Sequence, residues 1–150
     1  MKLSSKEHTG LQAMVEFARR YGRGPTSLSE VARAQELPLP YLEQVIAPLR
    51  RSGLLTSVRG VHGGYTLARD PATISVGDVF RAVEGSLMTL DCTRPDGSGC
   101  AKESTCATRS VWQGVAERLS DTLDNMTLAD ITSKDVQLNV PTPEHPYIRE

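Results

Sequence analysis

The sequence predicts a mainly α fold of the α+β class, in which a winged helix-turn-helix precedes a long C-terminal helix. Three stretches with helical spacing of apolar residues fill the first third of the 150-residue chain. Two short strand-like runs separated by a glycine-rich turn come next, and a longer amphipathic stretch lies nearer the C-terminus. Three helices followed by a hairpin are the element order of a winged helix-turn-helix.

The first two helices are predicted from their start signals. Ser4 with Glu7, and later Ser27 with Glu30, have the spacing of capping boxes, in which each side chain bonds a backbone N–H at the start of a helix. The segment GRGPTS separates the two helices. Apolar residues recur at helical spacing in the first helix as far as Tyr21: Leu11, Met14, Val15, Ala18 and Tyr21.

The third helix is predicted to begin near Pro40, because proline suits the first helical turn, and to end at Gly53. Pro48 lacks a backbone N–H and is expected to bend or loosen the last turn. Its buried stripe comprises Leu42, Val45, Ile46 and Leu49.

A β-hairpin follows the third helix. The runs LLTSV and GYTLA are typical of short strands, and the connecting segment RGVHGG carries Arg59 at its base. This hairpin is the predicted wing.

Two further helical segments are predicted after the hairpin. Ser75 and Asp78 begin a fourth helix that ends at Gly85. A longer helix from about Ser104 to Leu123 is predicted to pack against a partner helix, and one capped turn follows at Thr127–Ile131. The apolar stripe of the longer helix comprises Val111, Trp112, Val115, Leu119 and Leu123.

The face of the third helix opposite its buried stripe is a candidate surface for double-stranded DNA. The major groove admits one α-helix, within which Gln44 can pair with adenine and Glu43 can accept a hydrogen bond from cytosine. On the wing, Arg59 can neutralise a phosphate or enter the minor groove, and Gly60 lets the backbone approach. The predicted DNA-contacting residues are Tyr41, Glu43, Gln44, Arg50, Arg59 and Gly60.

The distribution of charge agrees with an anionic partner for the first half of the chain. Residues 1–70 contain ten Lys and Arg against six Asp and Glu, whereas residues 71–150 contain seven against twelve. Winged helices also serve as protein-interaction modules, so an exposed face that is only solvated remains an alternative.

All three cysteines lie in one polar, glycine-containing segment, at Cys92, Cys100 and Cys106. Such a segment offers little core in which unrelated thiols could be buried, so ligation of a metal or cluster is favoured. Structural zinc usually takes four ligands, often in closely spaced cysteine pairs. Iron–sulfur clusters also accept histidine beside cysteine.

A fourth ligand would come from another segment. Of the three histidines, His145 lies in a proline-rich tail and His62 in the wing. His8 has the helical spacing of Leu11 and is predicted to share the apolar face of the first helix, where a merely packed histidine is the alternative interpretation. The neighbouring Glu7 is a further possible ligand, although its capping role already explains it.

Several classes of function are disfavoured. No apolar run reaches the roughly 18–20 residues of a membrane span, and the first ten residues lack the apolar segment of a secretory signal. We therefore expect a cytoplasmic protein without a membrane partner, in which thiols stay reduced. Phosphate-binding loops, nucleophile elbows and credible catalytic carboxylate pairs are not found, so the protein is not expected to be an enzyme.

The segments MKLSSK and LPYLEQVIAPLRRSGLLTSVRGVHGGYTLARDPATISVGDVFRAVEG, with the three-cysteine loop, resemble the IscR/NsrR-type winged-helix iron–sulfur transcription regulator family. The resemblance covers roughly residues 1–132. It implies a homodimer with crossing C-terminal helices and an iron–sulfur cluster, [2Fe-2S] or [4Fe-4S], at the subunit interface. By position, Cys92, Cys100, Cys106 and His8 match the ligands, with His8 contributed by the partner. The IscR branch has histidine where this chain has Arg109, and glycine is common at the position of His62.

The sequence thus predicts a homodimeric regulator that binds promoter DNA and senses redox, nitric oxide or iron–sulfur status through its cluster. The alternatives are a thiol- or zinc-dependent winged-helix regulator and an iron–sulfur-binding interaction module without an operator. The predicted organisation is a DNA-binding domain (1–85), a cysteine cluster-binding loop (86–106), a dimerisation helix with its cap (107–132) and a flexible tail (133–150).

Overall fold

The computed structural model describes residues 4–88 and 105–133. Cys92, Cys100 and His145 lie outside the described residues, as do most of the predicted cysteine loop and nearly all of the predicted tail. The predicted fold class is confirmed: the described part is mostly helical and has one two-stranded antiparallel sheet. Its elements are α1 (Ser5–Arg19), α2 (Leu28–Ala34), α3 (Leu39–Arg51), β1 (Leu55–Val58), β2 (Gly64–Leu67), a 3₁₀ turn (Pro71–Thr73), α4 (Val76–Glu84), α5 (Arg109–Asp124) and α6 (Leu128–Thr132).

Local signals determine where most of these helices begin. Complete capping boxes precede α1, α2, α4 and α6, formed by Ser4 with Glu7, Ser27 with Glu30, Ser75 with Asp78, and Thr127 with Asp130. The prediction was less accurate elsewhere: α1 ends at Arg19, before Tyr21, and α5 begins at Arg109 rather than near Ser104. Pro48 lies inside α3, which nevertheless continues to Arg51.

The hydrophobic core is built around α1, which packs against α3, α4 and α6. Leu128 of α6 is completely buried in the same core as the helices of the DNA-binding unit. Truncating one such leucine to alanine typically costs about 2–5 kcal/mol, so these contacts dominate the stability of the fold. The largest fully buried side chains are Met14, Val31, Leu42, Val45, Ile46, Leu49, Ile74, Val79 and Leu128.

The hairpin is attached to the start of α2. Thr26 and Tyr65 exchange two backbone hydrogen bonds, each 2.9 Å from nitrogen to oxygen. A Cβ atom at Gly64 would collide with the carbonyl oxygen of Thr26, so this close approach requires glycine. The wing is therefore positioned relative to the helix-turn-helix by backbone pairing.

A buried carboxylate links α1 to the end of α2. The Glu16 side chain accepts hydrogen bonds from Arg20 Nε at 2.7 Å and from Gln35 Nε2 at 3.0 Å. Burial alone would raise the pKa of Glu16, but these hydrogen bonds and the charges of Arg20 and Arg19 together lower it below its usual value.

Substituting Glu16→Gln is expected to lower the free energy of unfolding by about 1–3 kcal/mol near neutral pH, because the buried, charged acceptor of two partly buried donors is removed. Since the pKa of Glu16 is lowered in the folded state, its contribution is present above the unfolded pKa of about 4.3 and is lost as pH falls through the folded pKa. Urea unfolding of both proteins across this range measures the difference. A difference that stays constant down to about pH 3 would contradict this account.

Candidate nucleic-acid interface and cysteine site

The exposed face of α3 is the best-formed candidate surface. Its buried stripe is as predicted, and Glu43, Gln44 and Arg50 are exposed. Two further exposed residues, Ala47 and Arg51, were missed, although they follow Gln44 at helical spacings of three and seven. Ala47 carries a small side chain and would let the helix backbone approach a groove closely.

Tyr41 differs from the prediction. It is only partly exposed and packs against the core, and its hydroxyl lies 2.9 Å from Ser5 Oγ at the start of α1. Tyr41 therefore lies at the edge of the exposed face, and a phosphate contact from it remains a prediction.

The wing presents its turn to solvent. Arg59 and Gly60 are exposed, and Gly60 has φ of +123°, a conformation that side chains rarely adopt. Val61 at the tip is 98% exposed, which makes it a wing residue that sequence reasoning missed.

Among the described residues, the arginines of α3 and the wing lack an acidic partner, as do some exposed arginines of other elements. Within residues 4–88 and 105–133, Arg50, Arg51 and Arg59 form no ion pair with a carboxylate. These cations on α3 and the wing are available for phosphates. Other arginines have internal partners: Arg20 with Glu16, Arg69 with Asp78, and Arg81 with Asp124.

Cys106 is the one cysteine within the described ranges. It lies in the turn immediately before α5, is partly exposed, and places Sγ 3.3 Å from Thr108 Oγ1. Among the described residues, no group of three His, Cys, Asp or Glu side chains could hold a metal ion. The predicted ligands Cys92 and Cys100 are outside those residues.

The predicted placement of His8 on the buried side of α1 is wrong, because His8 is exposed. The core instead contacts the side of α1 that carries Met14 and Phe17. Glu7 is buried, and its Oε2 accepts a hydrogen bond from the Ser4 N–H at 2.7 Å. This bond is part of the capping box of α1, so the capping role explains the presence of Glu7. Whether His8 is a ligand remains a prediction.

The long helix α5 has an exposed apolar face. None of its residues is buried, and Val111, Trp112 and Val115 are 59%, 42% and 43% exposed. Its C-terminal end differs, since Leu123 packs against the core. Across the described part of the chain, no helix has the length and apolar content needed to cross a membrane.

A family model described as Rrf2, iron-dependent transcriptional regulator, matches residues 3–134. The chain belongs to the Rrf2 family of transcriptional regulators. It is 37% identical over 133 residues to the HTH-type transcriptional regulator CymR of Bacillus subtilis, covering 89% of this chain and 91% of that protein. It is also 37% identical over 148 residues to IscR of Klebsiella pneumoniae, covering 98% of this chain and 89% of that protein.

Solved structures show the same relationship to Rrf2 regulators. CymR, described as the global cysteine regulator of B. subtilis, aligns with a TM-score of 0.75 and 36% identity, covering 89% of this chain and 97% of that one. T. potens IscR aligns with a TM-score of 0.71 and 45% identity, covering 87% and 85%. The protein is thus a DNA-binding transcriptional regulator and not an enzyme, as predicted.

In this Rrf2 protein, Arg59→Ala is expected to weaken DNA binding to a similar extent on different sequences. The logarithm of the association constant falls linearly with the logarithm of the salt concentration. If Arg59 neutralises one phosphate per subunit, this dependence should become shallower by about 1 unit of slope for each phosphate contact that the variant loses. Fluorescence anisotropy over a potassium chloride series measures this slope. Arg59→Lys keeps the positive charge at the same position and is the matched control, whose slope should stay near that of wild type; an unchanged slope in Arg59→Ala would exclude the phosphate contact.

Proposed function

We propose that this Rrf2 regulator is a homodimer that binds promoter DNA and responds to redox, nitric oxide or iron–sulfur status through a cluster held by Cys92, Cys100, Cys106 and His8. The observation that carries the proposal is the position of Cys106, in the turn that leads into a helix with an exposed apolar face. A ligand at that point would lie beside the surface on which a second subunit docks.

The dimer is supported by the apolar face of α5. Val111, Trp112 and Val115 are neighbours on one side of the helix and have no core to bury them in the protomer. Burial of apolar surface is favourable by about 25 cal/mol per Å², and a two-fold interface sets the same face of each subunit against its copy. A tryptophan on such a face is a typical anchor of an interface.

The ligand set fits an iron–sulfur cluster chemically. Cysteine thiolates are soft ligands suited to such clusters, and histidine also occurs among their ligands. Cys106 is partly exposed beside the start of α5, where the helix dipole favours negative charge. The His8 side chain is exposed and makes no hydrogen bond or ion pair within the described ranges, which leaves its imidazole accessible to a group held by the partner.

Each part of the chain would then have a distinct task. When bound, a cluster supplies a centre whose electron count and integrity change with oxidants and nitric oxide. The cysteines and His8 would hold the loop of one subunit against α1 of the other. The exposed faces of two α3 helices would enter major grooves about one helical turn apart, while Arg59 on each wing contacts the backbone or minor groove. Regulation of this kind takes place in the cytoplasm, without a membrane partner.

A thiol-responsive regulator without iron is the second candidate. It is favoured by the similarity to CymR, which is described as a cysteine regulator. Cys106 is partly exposed and could then react directly with an oxidant or a thiol.

Promoter binding by protein purified without oxygen separates these candidates. Genomic fragments selected by the protein provide the DNA, and anisotropy compares protein as purified, after air exposure and after chelation of iron. We expect visible absorbance before treatment and a change in affinity of about 5- to 150-fold on cluster loss. Colourless protein whose affinity changes only with thiol oxidation, reversibly, would support the second candidate; identical affinity in all states would reject sensing by either route.

A further inference from the structure

We propose that Asp124 and Arg81 form a clamp that sets the angle between α5 and the DNA-binding unit, and thereby determines which half-site spacing the dimer accepts. The inference rests on the proposed homodimer and is independent of the cluster. It assigns a positioning role to two residues that belong neither to the predicted DNA-contacting set nor to the proposed ligand set.

The clamp joins the last residue of α5 to α4. Both oxygens of the Asp124 carboxylate accept hydrogen bonds from the Arg81 guanidinium, with Nη1 to Oδ2 at 3.2 Å and a shorter contact from Nη2 to Oδ1. The hydrogen bond to Asp124 is the largest of the effects that raise the pKa of Arg81. A two-pronged pair of this kind constrains direction as well as distance, because the guanidinium and the carboxylate are both planar.

The backbone of α4 at Gly77 leaves room for the Asp124 carboxylate. A Cβ atom at Gly77 of α4 would collide with Asp124 Oδ1, so a side chain there would displace the carboxylate. Immediately beyond α5, the Val76 N–H donates to the Met126 carbonyl at 2.8 Å, and the Leu128 N–H donates to the Ile74 carbonyl at 2.9 Å. The C-terminal end of α5 is therefore held by side-chain and backbone bonds together.

This junction connects α5, through α4, to α3, the predicted DNA-contacting helix. Within the described residues α5 packs chiefly on α4, and α4 packs directly on α1 and α3. A helix of 16 residues is about 24 Å long, so a rotation of about 10° at one end moves the other by about 4 Å. That displacement is comparable to the rise of one base pair, about 3.4 Å.

A positioning role can be distinguished from a structural one. Arg81 and Asp124 are about 40% exposed (38% and 42% for their side chains), and exposed pairs contribute little to folding stability. Loss of the clamp should therefore leave the thermal midpoint nearly unchanged while relaxing the discrimination between operators.

The test uses full-length protein and one selected operator, remade with its half-sites moved apart or together by one and two base pairs. Wild type is expected to prefer one spacing by about tenfold or more, which corresponds to about 1.4 kcal/mol. Asp124→Asn and Arg81→Gln should each reduce this preference to about threefold or less, with little loss on a single half-site. The control is Asp121→Asn, one turn earlier on α5. It removes a carboxylate charge from the same helix but keeps the Arg81–Asp124 pair, so it should keep the wild-type preference.

The outcomes separate the inference from the function on which it rests. If Asp124→Asn and Arg81→Gln are both dimers with the wild-type spacing preference, the clamp is excluded and the proposed dimer stands. A wild-type chain that binds DNA as a monomer overturns the proposed dimer and the inference with it. Gly77→Ala, which pushes the carboxylate away while retaining both charges, is expected to reproduce the relaxed spacing.

Discussion

Val115→Glu is expected to convert the dimer to a monomer and to abolish operator binding at concentrations where wild type is saturated. Val115 is 43% exposed in the protomer, so the substitution places a charge on an already accessible surface and leaves the core intact. In the dimer the same position would be buried against its copy, where two unpaired carboxylates face each other. A central interface residue commonly contributes about 2 kcal/mol or more, and the dimer dissociation constant should rise by at least about 30-fold.

Sedimentation velocity and circular dichroism measure assembly and fold independently. Ser110→Glu introduces the same charge on the opposite side of α5 and should remain dimeric, which makes it the matched control. Trp112→Ala should weaken the dimer without adding charge. If Val115→Glu sediments as a dimer and binds the operator as wild type does, then α5 is not the interface.

Cys106→Ala is expected to eliminate bound iron and inorganic sulfide together, because a cluster with one of four ligands removed becomes labile. The difference in operator affinity between protein kept from oxygen and protein stripped of iron should disappear with it. Cys106 is partly exposed outside the core, so the change in folding stability should be within about 1 kcal/mol.

Iron and sulfide analysis of protein purified without oxygen provides the readout, with urea unfolding as the check on the fold. Thr108→Val removes the hydroxyl 3.3 Å from Cys106 Sγ and keeps the thiol, so its iron content should stay near that of wild type. Wild-type iron content in Cys106→Ala would remove this residue from the ligand set. His8→Ala should give a more labile cluster in the same assay.

The parts of the fold that the sequence predicted well depend on short-range signals. A serine three residues before an acidic side chain is sufficient to indicate a helix start, and four capping boxes form as that rule requires, one of them with threonine in place of serine. The start of α5 was predicted at the wrong residue because this helix has no such signal. Thr108 precedes it without a side-chain capping bond. No local signal marks that boundary.

Contacts between distant segments could not be predicted from local patterns. Arg81 and Asp124 are 43 residues apart, and Glu16 and Gln35 are 19 apart, so their pairing follows only from the packing of helices. The side of α1 on which His8 lies is likewise decided by packing, because α1 carries apolar residues around more than half of its circumference. By contrast, Arg51 could have been found from its spacing to Gln44.

The most direct test of the central claim is native mass spectrometry of the protein purified and handled without oxygen. The account predicts a mass of two chains plus iron and inorganic sulfide, and a loss of both elements together when Cys106 is replaced by alanine. A mass equal to the polypeptide alone, or to the polypeptide with a single divalent ion, would contradict the claim that this Rrf2 regulator holds an iron–sulfur cluster.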